Sequence, residues 1–135
     1  VLSHNDLPLL SGRNAGVVLW ATPVDHEDGL TKFDFGDGDI WAPGRFETGT
    51  TPMRLRIAAS DVSIALERPT QTTILNVLRA TIEEVRQVDA ARALVRMVVG
   101  NQSLLAQVTN RSVARLELRE GERVFAQVKS VTVRR

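Results

Sequence analysis

Residues 91–112 read ARALVRMVVGNQSLLAQVTNRS. Ala93, Val95, Met97 and Val99 alternate with Arg92, Leu94, Arg96 and Val98, which is the two-residue period of a strand. Gly100-Asn101 is a hairpin signal, because both residue types tolerate positive φ. Leu104–Val108 then returns as the partner strand. Thr109 suits a helix N-cap, with Asn110, Arg111 and Ser112 opening the helix and Val113, Leu116 and Leu118 giving it apolar contacts. Two strands, a tight turn and one short helix set the style of the whole chain.

On the C-terminal side, Gly121 marks a turn and Arg123–Val133 is a last strand, with Val124, Ala126 and Val128 on one face. On the N-terminal side, Asn76–Val88 is long enough for a helix, and Leu78, Ile82 and Val85 fit helical spacing. The branched residues Val77, Thr81, Ile82 and Val85 favour a strand instead, with a bulge near Glu83-Glu84. Glu67–Thr73 carries Pro69 and three threonines and acts as a connector. Before it, Met53–Ala58 (MRLRIA) alternates strictly, with one apolar and one basic face, and Asp61–Leu66 is a further short apolar piece. Gly16–Thr22, Leu30–Phe35 and Ile40–Ala42 are strand-like. Pro23–Gly29 is polar and turn-like, and Gly36–Asp39 is a tight hairpin signal. The expectation is an all-β chain with one short helix, built as two small oligonucleotide-fold-like β-barrel units. Residues 1–14 would be a linker or arm, 15–68 the first unit and 69–135 the second. Barrels of about 65 residues are marginal alone, so they should share a core or lean on a second chain.

The 135 residues are 43% hydrophobic and 24% charged, near the globular average. The longest uncharged run, Met97–Asn110, is shorter than the ~20 apolar residues of a membrane span. No basic-then-apolar leader follows Val1, so no secretory signal is expected, and a first residue other than Met suggests a processed chain or an excised fragment. The net charge of +1 hides an asymmetry: residues 1–67 hold five basic and ten acidic side chains, and residues 68–135 hold twelve and six. A basic half attracts nucleic acid, an anionic surface or a small oxyanion, or it merely keeps a sheet soluble.

Catalysis is poorly supported. There is no cysteine, and His4 and His26 are the only histidines. No serine has a histidine placed as its base, and no G-x-x-x-x-G-K-[ST] loop is present to cradle a nucleotide. Glu83-Glu84 and the Asp37/Asp39 pair have the pattern of solvated acids. A nucleic-acid barrel would stack bases on aromatics beside its basic groups. Trp20, Phe33, Phe35, Trp41 and Phe46 lie in the acidic half, which leaves the basic half only Phe125. A small oxyanion fits better. Thr109–Ser112 at a helix start offers free N–H groups and a favourable dipole end. Lys129-Ser130 adds an ammonium and a hydroxyl, and Thr72-Thr73 add more hydroxyls. The bland alternative makes Thr109 only a cap and Lys129 a solvated strand residue.

Taken together, RLRIAASDVSIALERP (54–69), TTILNVL (72–78), LLAQVTNRSVARLEL (104–118) and GERVFAQVKSVTV (121–133) resemble a known family. It is the C-terminal accessory (TOBE/Mop-type) region of the ATP-binding subunit of bacterial molybdate ABC transporters. Residues 69–135 are similar to Mop-type molybdate-binding domains. The resemblance implies a regulatory, non-catalytic module that senses molybdate or tungstate, with no metal cation or nucleotide of its own. It implies a second copy as partner in a homodimer, an ATPase domain on the same chain, and indirect contact with the transporter's membrane subunits. It also implies a cytoplasmic place at the inner face of the plasma membrane. Carried across residue by residue, the oxyanion donors would be Thr73, the backbone N–H of Ile74, Thr109, Ser112, Lys129 and Ser130. Leu75 stands where the Mop pattern has arginine, which removes a bidentate donor, and Asn76 should be structural, fixing a turn. Two competitors stay open: a purely structural dimerisation module without anion, and a nucleic-acid-binding barrel.

Overall fold

In the computed structural model, residues 15–134 are described. The expected arm at 1–14 lies outside them. The described residues fold as ten strands and one short helix: β1 (Gly16–Glu27), β2 (Leu30–Asp34), β3 (Asp39–Pro43), β4 (Met53–Ala58), β5 (Val62–Ala65), β6 (Asn76–Gln87), β7 (Arg92–Val99), β8 (Gln102–Thr109), α1 (Asn110–Leu116), β9 (Arg123–Val128) and β10 (Thr132–Arg134). A single 3-10 turn at Ala59–Asp61 joins β4 to β5. The all-β expectation with one short helix holds, and the strands form two curled five-stranded sheets.

The alternation that marks each strand is also what buries it. In β4, Leu55 and Ile57 are fully buried while Arg54 and Arg56 face outward. In β7, Ala93, Val95, Met97 and Val99 point into the core, and Leu94 is buried as well. Asn76–Gln87 is a strand, and its register against β7 shifts between Ile82 and Glu84. At that bulge the Arg96 guanidinium binds Glu83 at 3.0 Å and Glu84 at 2.9 Å. The two acids are ion-paired rather than simply solvated.

The sheets do not divide at the connector. Their strand orders are β10-β4-β1-β2-β3 and β5-β9-β6-β7-β8. β5 precedes the connector yet pairs with β9, and β10 follows it yet pairs with β4. The two halves therefore exchange a strand each. The stretch expected as one strand from Arg123 to Val133 breaks after Val128, because its last residues cross to the other sheet. A single apolar cluster runs through both, from Val17, Leu19 and Phe33 to Val95, Leu104 and Val124. Burial shared in this way meets the size problem of each half alone.

Pro23–Gly29 is not all turn. β1 continues through it to Glu27, leaving β4 after Ala21 and pairing with β2 from Thr22. The register slips between Pro23 and Asp25, where proline has no N–H for the ladder. The turn itself is Asp28-Gly29, with φ of 53° and 79°. Two polar links tie sheet to sheet. The Asn76 amide accepts from Trp41 N–H at 2.8 Å and donates to Trp41 C=O at 2.9 Å. The Asp37 carboxylate accepts from Asn101 N–H at 2.9 Å, beside Gly100. Asn76 is structural as expected, but it joins two sheets rather than fixing a turn.

Candidate functional site

Asn76 opens β6 opposite Val128, the last residue of β9, and Val62 lies on the other side of Val128. Thr73, Ile74 and Leu75 therefore run into β6 beside the point where Lys129 and Ser130 leave β9. The Lys129 N–H donates to Asp61 C=O at 2.8 Å, which fixes the backbone there. Lys129, Ser130 and Thr73 are exposed. Among the described residues the Lys129 ammonium has no carboxylate partner. The Ile74 N–H is already engaged by the Thr72 hydroxyl at 3.1 Å. Leu75 is 65% exposed, more than any other large apolar side chain described.

The second group sits at α1. Thr109 is extended, with φ −84° and ψ 151°, and caps the helix by accepting from Ser112 N–H. The Thr109 hydroxyl also donates to Ser112 Oγ at 3.0 Å. That leaves the Ser112 O–H free to donate outward, since one hydroxyl can accept and donate at once. The helix entry is held from below. Asn110 N–H donates to Ala91 C=O at 2.8 Å, and the Asn110 amide donates to Asp89 C=O at 3.0 Å. The Asp89 carboxylate accepts from the backbone of Ala91 and Arg92 and from the Arg92 guanidinium. These donors, the Ala91 N–H foremost, hold its pKa below the ordinary 3.8.

The structure thus brings Thr73, Ile74, Lys129 and Ser130 to one end of β6 and keeps Thr109 and Ser112 in register with the other. Gln87 pairs with Ala93, and Arg92 with Thr109. Twelve strand residues separate the two ends, roughly 35 Å along the strand path. Among the described residues no hydrogen bond or ion pair joins the two groups. An anion held by all six donors needs the curl of the sheet or a second copy to bring the ends together. Among the described residues no cluster of histidine, aspartate and glutamate could hold a metal ion, and no helix is long and apolar enough to cross a membrane.

One basic feature escaped the sequence. Arg54, Arg56 and Arg134 line a cavity of about 250 Å³ with Val18 on the outward face of β10, β4 and β1. The basic face of β4 was legible in its alternation. The arrival of Arg134 was not, because it depends on β10 crossing between sheets.

Residues 72–134 match the TOBE domain family. The chain is 37% identical over 135 residues to the molybdenum import ATP-binding protein ModC of Methylococcus capsulatus, covering 98% of this chain and 38% of that protein. To ModC 1 of Azotobacter vinelandii it is 36% identical, over 98% of this chain and 38% of the relative. The chain therefore spans well under half the length of these relatives. Its fold is similar to a structure of the cytoplasmic molybdate-binding protein ModG with molybdate bound. The TM-score is 0.78 at 19% identity, covering 87% of this chain and 94% of that one.

Proposed function

We propose, from the premise that the chain is a TOBE-type region of the kind found in molybdenum import ATP-binding proteins, that it is a regulatory, non-catalytic module that dimerises and senses molybdate or tungstate. The observation that carries this is the Lys129 ammonium, which has no carboxylate partner among the described residues and leaves β9 beside the Thr73 and Ser130 hydroxyls at the start of β6. In this reading the anion lies between two copies. One copy supplies Thr73, Lys129 and Ser130, and its partner supplies Thr109 and Ser112. The Ile74 N–H would join by exchanging its bond to Thr72 for one to the anion. A tetrahedral dianion is then met by one cation and several neutral donors. The ATPase region of the longer subunit and the transporter's membrane subunits are the further partners, at the inner face of the plasma membrane. The ModG likeness supports the fold of this reading, and the ModC relatives support its setting.

A second reading is a dimerisation module that binds no anion. The exposed Leu75, where an arginine donor would stand, favours it. Calorimetry with molybdate separates the two. Charge-assisted hydrogen bonds contribute about 1.5–3 kcal/mol each. Lys129→Ala should therefore weaken molybdate binding about tenfold to a hundredfold. An unchanged dissociation constant removes Lys129 from the site, and no heat from the parent chain favours the structural module.

A further inference from the structure

The outward face of β10, β4 and β1 carries an arginine cluster that the proposed molybdate site does not use. Arg134 stands directly opposite Arg54 across the β10–β4 ladder, and Trp20 stands opposite Arg54 on the other side. Val18 stands opposite Arg56. Directly opposed side chains on one face have Cβ atoms about 5 Å apart, and like charges so placed repel. Among the described residues neither Arg54 nor Arg134 has a carboxylate partner, and Trp20 has no ring or cation contact. The Arg56 guanidinium lies over Gly16, 3.4 Å from where a Cβ would stand, so the missing side chain gives it room. Val18 and Trp20 are 40% and 58% exposed.

We propose that this face is a second anion site, taking a compact multivalent phosphate-type oxyanion such as diphosphate between Arg54 and Arg134, with Arg56 and Trp20 at its margin. Guanidinium forks match phosphoryl oxygens two at a time, which a lone ammonium cannot do. Arg54 and Arg134, opposed on neighbouring strands and lining one cavity, can both reach the same phosphoryl group, and Arg56 lines the cavity one strand repeat further on. The cavity, at about 250 Å³, is just below the range of pockets that enclose drug-sized ligands. It fits the charged group and leaves any organic remainder over Trp20 or in solvent. Two copies of this face would repel one another, so it is not a self-complementary dimer contact.

Calorimetry of the full chain with inorganic pyrophosphate tests this, with sulfate at matched ionic strength as control and tryptophan fluorescence as a second readout. Pyrophosphate should bind and sulfate should not compete. The double variant Arg54→Ala/Arg134→Ala should bind at least tenfold more weakly, with unchanged or higher thermal stability because the repulsion is gone. Lys129→Ala should leave pyrophosphate binding intact, which keeps this site distinct from the molybdate site. ADP binding as tightly as pyrophosphate would show that the diphosphate group alone is recognised. Tighter ADP binding that Trp20→Ala abolishes would point to a nucleotide as its source. The proposal fails if pyrophosphate does not bind, if the arginine variant binds it equally well, or if Lys129→Ala abolishes it. It also fails if a glutamate-rich peptide binds this face and pyrophosphate does not displace it.

Discussion

Asn76 makes two bonds to one residue of the other sheet, reading both the N–H and the C=O of Trp41. Its side chain thus does across sheets what a backbone does within one. Asn76→Ala leaves both Trp41 groups unpaired in a largely buried place, and a lost partner of that kind costs about 1–3 kcal/mol. Urea unfolding should show a loss in that range, and a stability within 0.5 kcal/mol of the parent would contradict the bridging role. Gly100 is the second constrained position. Its φ of 61° favours glycine, and a Cβ there would collide with the Asp37 carboxylate. Gly100→Ala should therefore destabilise by more than the roughly 1–2 kcal/mol of a left-handed alanine alone. In an Asp37→Ala background the steric part disappears, so the cost of Gly100→Ala should fall. Equal costs in both backgrounds would mean the hairpins are not packed against each other as described.

β6 shows how far residue patterns reach at the scale of an element. Its branched residues decide for a strand against the helical spacing of Leu78, Ile82 and Val85, because β6 has paired strands on both sides. The bulge is signalled by two adjacent acids, but their Arg96 clamp is not, since it requires knowing the register. α1 is legible down to its cap: Thr109 accepts from Ser112 as the sequence implies. Its anchoring turn supplies a pH signature. The donors around Asp89 stabilise its charged form in the folded chain. Its folded pKa lies below its unfolded value, so its contribution is present above about 3.8 and is lost as pH falls through the folded value. Asp89→Asn should lower the thermal midpoint near neutrality, and the difference from the parent should shrink in acid. A difference that is constant with pH would remove the carboxylate from this role.

At the scale of the molecule, the all-β class was legible, but β10 as a strand separate from β9 and the exchange of β5 and β10 were not. Local patterns give each strand its period but not its partner, and the choice of partner depends on contacts far apart in sequence. The same gap affects the candidate site. Each donor was identifiable by type, but the separation of Thr109 and Ser112 from Lys129 along β6 follows only from the ladders. A site completed by a second copy makes assembly part of the function. Sedimentation should find dimers at micromolar concentration, and monomer alone at high concentration would contradict the shared site. Thermal unfolding of the full chain with molybdate, tungstate or sulfate at matched ionic strength then gives the decisive result. An anion that binds only the folded state adds about 2.7 kcal/mol at a hundred times its dissociation constant. Molybdate or tungstate should raise the midpoint and sulfate should not. No rise at millimolar anion, in a sample shown to be dimeric, would contradict oxyanion sensing by this chain.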